Sequence, residues 1–144
     1  MKNLVLLLLL CLLSACQDSA SKQQVSISDA WARATVPGQV VGAAYLSIAA
    51  KHAISLEAVT SPVAESVEIH TMQMQQGVMR MRMLEKLDIP AGQKIALAPG
   101  QTHLMLIDLK SPLRAGEHIT LKLSFSASNG SHQQQTIVVP VLAK

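Results

Sequence analysis

The spacing of turn signals constrains this chain most. Pro37-Gly38, Gln76-Gly77, Pro90-Ala91-Gly92, Pro99-Gly100, Ala115-Gly116 and Asn129-Gly130 punctuate it. Glycine reaches backbone conformations closed to other residues and proline presets φ, so each group marks a reversal rather than the interior of an element. The runs between them are short, alternate apolar with polar residues or are continuously apolar, and carry little helical periodicity. Nine strands are predicted: residues 25–33, 42–49, 54–60, 66–74, 78–84, 94–97, 103–109, 118–126 and 135–141.

Ile119, Leu121, Leu123 and Phe125 alternate with polar residues, and Ile137, Val139 and Val141, across the Asn129-Gly130 turn, do so less cleanly, with Val138 and Pro140 between them. Successive side chains of a strand point to opposite faces, so each of these strands buries one face. The fold class that follows is an all-β sandwich. Trp31, Tyr45 and Phe125 are the only aromatic residues and are expected to anchor its core.

The N-terminus reads differently. Lys2 precedes an apolar run from Leu4 to Leu13 that ends in Leu13-Ser14-Ala15-Cys16. Such a run is too short for a permanent membrane span, and small residues before a cysteine resemble a lipoprotein signal-peptidase site. Residues 1–15 are therefore read as a signal peptide, Cys16 as the lipidated first residue of the mature chain, residues 16–24 as a tether, and residues 25–144 as one domain. Lipid on Cys16 attaches the protein to a membrane face. Gln17 rather than Asp follows it, which resembles lipoproteins sorted to the outer membrane and places the domain in the periplasm.

Cys11 leaves with the signal peptide and Cys16 is consumed by lipid, so the folded domain holds no thiol. That excludes disulfides, thiolate ligands and cysteine nucleophiles. Without Lys2, 11 Lys and Arg face 9 Asp and Glu, and stacking aromatics are nearly missing, so a nucleic-acid partner is not expected.

The candidate chemistry lies in "HTMQMQQGVMRMRM", from His70 to Met83, which contains five of the six methionines beyond Met1. By strand parity His70, Met72 and Met74 share a face with Glu68, while Met79, Met81 and Met83 share a face of the next strand. A two-residue loop at Gln75-Gln76 or Gln76-Gly77 pairs even positions with odd ones, so His70 meets Met81 or Met83. In "THLMLIDL", His103 and Met105 share one face and Leu104 and Leu106 the other. Two imidazoles and two thioethers make a soft, uncharged donor set suited to Cu(I), whereas Mg²⁺ and Ca²⁺ take oxygen and zinc favours thiolate or carboxylate. Taken singly, each of these residues is more simply a core filler or a hydrogen-bonded histidine.

The spacing resembles that of the periplasmic PCu(A)C-type Cu(I) chaperones, which supply the CuA centre of cytochrome c oxidase. His70 and Met81 are separated by ten residues, Met81 and His103 by twenty-one, and His103 and Met105 by one. The likeness runs from "DAWARATVPGQVVGAAYLSI" to "GEHITLKLSF". It implies a cupredoxin-like, Greek-key sandwich whose Cu(I) ligands are His70, Met81, His103 and Met105. Met72, Met74, Met79 and Met83 are read as an apolar rim with auxiliary-donor roles, and plain packing is the equal alternative for each. The implied partners are the copper-accepting subunit of the oxidase or a thioredoxin-like assembly factor, met by a monomer with no enzymatic activity. The chain departs from the family at "AAKHAIS", at Gln101 in place of a glycine, and at "PVLAK", where relatives can carry a His- and Met-rich tail; no second copper site is expected.

Three rival functions stand against this reading. A blue-copper electron carrier needs a cysteine ligand that the domain lacks. A hydrolase needs a nucleophile motif, and none is found. A protein that scavenges Cu(I) for tolerance without delivering it carries the same ligands, and the sequence does not separate it from a chaperone. The anchoring claim has a direct check: Cys16→Ser moves the protein from the membrane to the soluble fraction on cell fractionation.

Overall fold

The computed structural model describes residues 25–144, and the expected signal peptide, Cys16 and the expected tether lie outside the described residues. The described chain is all β, with ten strands: β1 (Val25–Arg33), β2 (Gly42–Ala50), β3 (Ile54–Thr60), β4 (Ala64–Gln75), β5 (Val78–Leu84), β6 (Leu87–Ile89), β7 (Lys94–Leu97), β8 (His103–Leu109), β9 (His118–Ala127) and β10 (His132–Leu142). The strand missing from the nine expected is β6, whose three residues are too few to display alternation. It pairs with Ile54–Leu56 of β3 and buries Ile89. Among the described residues no helix is long and apolar enough to cross a membrane.

Hydrogen bonds join the strands in the order β4-β8-β2-β1-β10-β9-β3, and the pairing of β3 with β4 at Val59 and Val67 brings the path back to its start. The result is a closed, barrel-like sheet, with β5, β6 and β7 attached to β4, β3 and β2. A parallel pairing of β1 with β10, Ala32 opposite Val141, completes the wall. Closure leaves few bare edges at which another chain could add a strand.

Alternation decides what fills the interior. Leu46 and Ile48 of β2, Leu104 and Leu106 of β8, Leu121, Leu123 and Phe125 of β9, and Val139 and Val141 of β10 are almost wholly buried. Each buried aliphatic side chain contributes about 1.5–3 kcal/mol relative to exposure. Asp29 interrupts the pattern. It adopts φ 55°, and the β1–β2 register shifts between Ser28 and Trp31. Val25 and Ile27 point inward before this bulge, Ala30 and Ala32 after it, so Trp31 and Arg33 turn to the outer face. Lys94 from β7 holds the Asp29 carboxylate at 2.8 Å, and that hydrogen bond, with others from Ser28 and Ser47, lowers its pKa below the usual value.

Trp31 and Tyr45 thus depart from the expected core role. Tyr45 is buried, but it pairs with Trp31 on the outside of the barrel, their rings 4.4 Å apart. Phe125 alone of the three aromatics fills the interior.

The Asn129-Gly130 signal sits in the β9–β10 hairpin, although the connection has four residues, Ser128 to Ser131, rather than two. Ala127 N donates to Ser131 O, and Gly130 takes φ 80°. Leu121→Ala is expected to lower unfolding stability by about 2–5 kcal/mol, because the cavity is sealed within the closed sheet. Val138→Ala, on the exposed face of β10, should stay within about 0.5 kcal/mol. Urea unfolding of the two variants checks the contrast.

Candidate metal centre

The long strand β4 is paired on both edges, but not along the same stretch. β8 runs beside Ala64 to His70, and β5 beside Ile69 to Gln75. Only Ile69 and His70 belong to both ladders. Ile69 points into the core between Leu84 and Leu104, and His70 points outward between Met83 and His103. One rung therefore lines up Met83, His70 and His103 on the outer face. The neighbouring rungs set Met72 opposite Met81, Met74 opposite Met79, and Glu68 opposite Met105.

Of the two partners left open for His70, the register selects Met83 as directly opposed and makes Met81 the diagonal neighbour. The hairpin loop is Gln76-Gly77, with φ 51° and 79°. Two consecutive positive φ values make the type I′ turn whose twist matches paired strands.

The two imidazole rings lie 6.1 Å apart between centroids. His103 is buried, and its Nδ1–H donates to the Gln101 carbonyl at 2.9 Å, which leaves Nε2 as the lone-pair nitrogen. Tyr45 covers it, with ring centroids 6.4 Å apart. His70 has a side chain 13% exposed, and its Nε2 is 2.6 Å from Glu68 Oε2. Its Nδ1 is buried with no hydrogen-bond partner. A hydrogen bond at 3.1 Å from Thr102 Oγ1 to Thr71 Oγ1 carries the β4–β8 contact one step past the histidines.

Met81, His103 and Met105 line one open recess of about 180 Å³, together with Arg33, Gln39, Val41, Gly42 and Ala43. His70 borders His103 in the next strand but does not line this recess. The far wall is the β1–β2 loop. Gln39 ties that loop together by accepting from Val36 N and donating to Val41 O, and Leu109 N donates to Val40 O. Arg33 stands over the Trp31 and Tyr45 rings, 6.0 and 5.7 Å from their centroids.

The structure thus groups His70, His103 and Met105 on adjoining strands of one face, and brings Met81 from the β5 arm to the recess that His103 and Met105 line. Met72 is half-buried and stands directly opposite Met81. Met74, Met79 and Met83 are exposed, as is every residue from Gln73 to Met83, so the hairpin tip presents these methionines to solvent among glutamines and arginines. Arg80 and Arg82 alternate with the methionines and are exposed, as are His52, His118 and His132.

Sequence reasoning missed Arg33, Gln39 and Tyr45 as neighbours of the site. Their approach is set by the Asp29 bulge and the pairing of β2 with β8, and neither has a local signature. A larger cleft of about 490 Å³, between β3, β6 and β9, contains neither His nor Met. Among the described residues no group of three or more His, Asp or Glu side chains is placed to hold a metal ion.

Fold and site together define a barrel-like β domain with a histidine and methionine cluster on its outer wall. The family profile "LpqE-like: Putative lipoprotein LpqE-like" matches residues 25–141, and the chain belongs to this family. "Putative lipoprotein Lxx21020" of Leifsonia xyli subsp. xyli is 32% identical over 118 residues, covering 81% of this chain and 69% of the relative.

Solved structures share the fold. Cu(I)-bound DR1885 from Deinococcus radiodurans superposes with a TM-score of 0.62 at 27% identity, covering 87% of this chain and 84% of that one. Its copper-free form gives 0.63 at 27% identity over 91% and 87%. The copper-bound PCuAC domain of PmoF2 gives 0.67 at 23% identity over 84% and 94%.

Because the turn sets the register that brings Met83 and Met81 to the histidines, Gly77→Val should loosen the arm selectively. A β-branched residue at positive φ costs about 1–2 kcal/mol, which speeds amide exchange in β5 about tenfold. β9 and β10 should be unaffected. Residue-resolved hydrogen exchange measures both.

Proposed function

We propose that this protein is a lipid-anchored, periplasmic Cu(I) chaperone that binds one ion through His70, Met81, His103 and Met105 and passes it to respiratory oxidase assembly. The carrying observation is the single outer-face cluster in which adjoining strands supply two imidazoles and two thioethers. The likeness to DR1885, whose structure with Cu(I) is known, supports the same cargo here. The membership of a lipoprotein family supports the anchor on Cys16, and Gln17 after it makes the outer membrane the favoured site. The non-sequential strand order and the parallel β1–β10 pair support a cupredoxin-like, Greek-key description of the closed sheet.

The donor set suits the cargo. Thioethers bind without losing a proton, and neutral nitrogen and sulfur favour a soft monovalent ion over hard divalent ones. Accessibility suits delivery. His103 is buried against the barrel, whereas Met81 is 48% exposed on the projecting arm. An acceptor's donors can therefore enter where Met81 leaves, while the histidines keep hold of the ion until exchange is complete. The exposed rim of Met74, Met79 and Met83 gives an acceptor an apolar surface beside that opening.

The acceptor we infer is the copper subunit of cytochrome c oxidase or a thioredoxin-like assembly factor, approached by a monomer acting as a carrier rather than an enzyme. Copper sequestration for tolerance is the second reading. The exposure of Met81 favours transfer, because a storage site gains from being sealed.

Titrating residues 25–144 with Cu(I) against a chromophoric chelator should reveal one tight equivalent. Met81→Ala and His103→Ala should each weaken it by more than the roughly 10–100-fold typical of losing an outer-shell partner. Affinity unchanged in both variants would refute the site. Mixing the loaded protein with a copper-free oxidase copper domain should then build the acceptor's absorbance. Copper retained by the donor would favour sequestration.

A further inference from the structure

We propose that Glu68 is the positioning residue of this centre, holding His70 in the tautomer that presents Nδ1, rather than Nε2, to the ion. The inference rests on the copper reading above and adds a residue and a donor atom to it.

Glu68 lies two residues before His70 on the same face of β4 and opposes Met105 across the β4–β8 ladder, so it stands within the cluster. Its Oε2 is 2.6 Å from His70 Nε2, the short distance expected of a hydrogen bond to a charged acceptor. An ionised carboxylate only accepts, so Nε2 carries the hydrogen and Nδ1 the lone pair. That Nδ1 is the atom left buried and unpartnered, the one such side-chain atom found among the described residues. Buried polar atoms are rarely left so without a role, and an ion on Nδ1 would give that atom a partner.

His103 is arranged in the opposite sense. Its Nδ1–H is spent on the Gln101 carbonyl, so Nε2 is its lone-pair atom. The two histidines thus share one design, in which one ring nitrogen donates to an oxygen of the protein and the other is left for a ligand. They use opposite nitrogens because one orienting oxygen is a side chain on the same strand and the other is a backbone carbonyl. Glu68 as a direct ligand is disfavoured, since a carboxylate oxygen is a poor donor to Cu(I).

Two-bond ¹H–¹⁵N spectra of histidine-labelled protein test this without relying on copper transfer. In the copper-free wild type, His70 should be the Nε2–H tautomer and His103 the Nδ1–H tautomer. On adding Cu(I), the His70 Nδ1 and His103 Nε2 resonances should move while both protonated nitrogens stay protonated. Glu68→Ala should mix the His70 tautomers and weaken Cu(I) binding about 10–100-fold. Glu68→Gln, which keeps an acceptor oxygen, should restore both the tautomer and most of the affinity.

An Nδ1–H tautomer at His70 in the wild type would overturn the proposal, and so would coordination through His70 Nε2. Glu68→Ala binding as tightly as a wild type that remains sensitive to His103→Ala would overturn it while leaving the copper site intact. A wild type with no Cu(I) binding would instead remove the copper reading, and the donor-atom assignment with it.

Discussion

One rung of the sheet, Met83 beside His70 beside His103, is the constraint on which the rest of the outer face depends. It exists because β4 is longer than either neighbour's ladder and is shared between them, overlapping only at Ile69 and His70. A slip of one residue between β4 and β5 would turn the methionines of β5 to the opposite face, and one between β4 and β8 would set the outer face of one strand against the inner face of the other. The register is guarded from within, since Leu104 and Leu106 are wholly buried and cannot exchange faces with His103 and Met105. The apolar core therefore sets the position of the polar cluster, although no member of the cluster belongs to it.

The division between inner and outer face also separates stability from chemistry. The closed sheet concentrates apolar burial inside, and the β4–β5 arm, exposed from Gln73 to Met83, adds little to it. Segments with few buried contacts open locally at low cost, which would suit the ligand exchange proposed for this arm. His103 shows the opposite design. It is packed under Tyr45, hydrogen-bonded to Gln101, and carried by a strand whose other face is core. A site with one fixed half and one movable half follows from where the two ladders diverge. The Asp29 bulge serves the same end, because its change of face brings Arg33 to the recess instead of the interior.

Much of this was legible in the sequence, because a strand has a period of two and its turns have distinctive residues. The faces of His70, Met72, Met74, His103 and Met105 followed from parity alone, and the Gln76-Gly77 loop appeared among the two options considered. The choice between Met81 and Met83 was not legible, since it depends on one residue of loop placement. Longer-range features escaped for a different reason. The β3–β4 contact that closes the sheet, the bulge that turns Trp31 outward, and the β1–β2 loop that walls the recess join residues far apart in sequence. β6 escaped because three residues show no period. Glu68 was assigned to the correct face, but its contact with His70 depends on side-chain rotamers, which parity does not specify.

The central claim is that two nitrogens and two sulfurs from adjoining strands converge on one ion. X-ray absorption at the copper edge of the Cu(I)-loaded domain tests it most directly. The account predicts a monovalent edge and a first shell containing both nitrogen and sulfur scatterers in equal number, with the sulfur contribution reduced in Met105→Leu. A shell of nitrogen and oxygen alone, unchanged by that substitution, would contradict it.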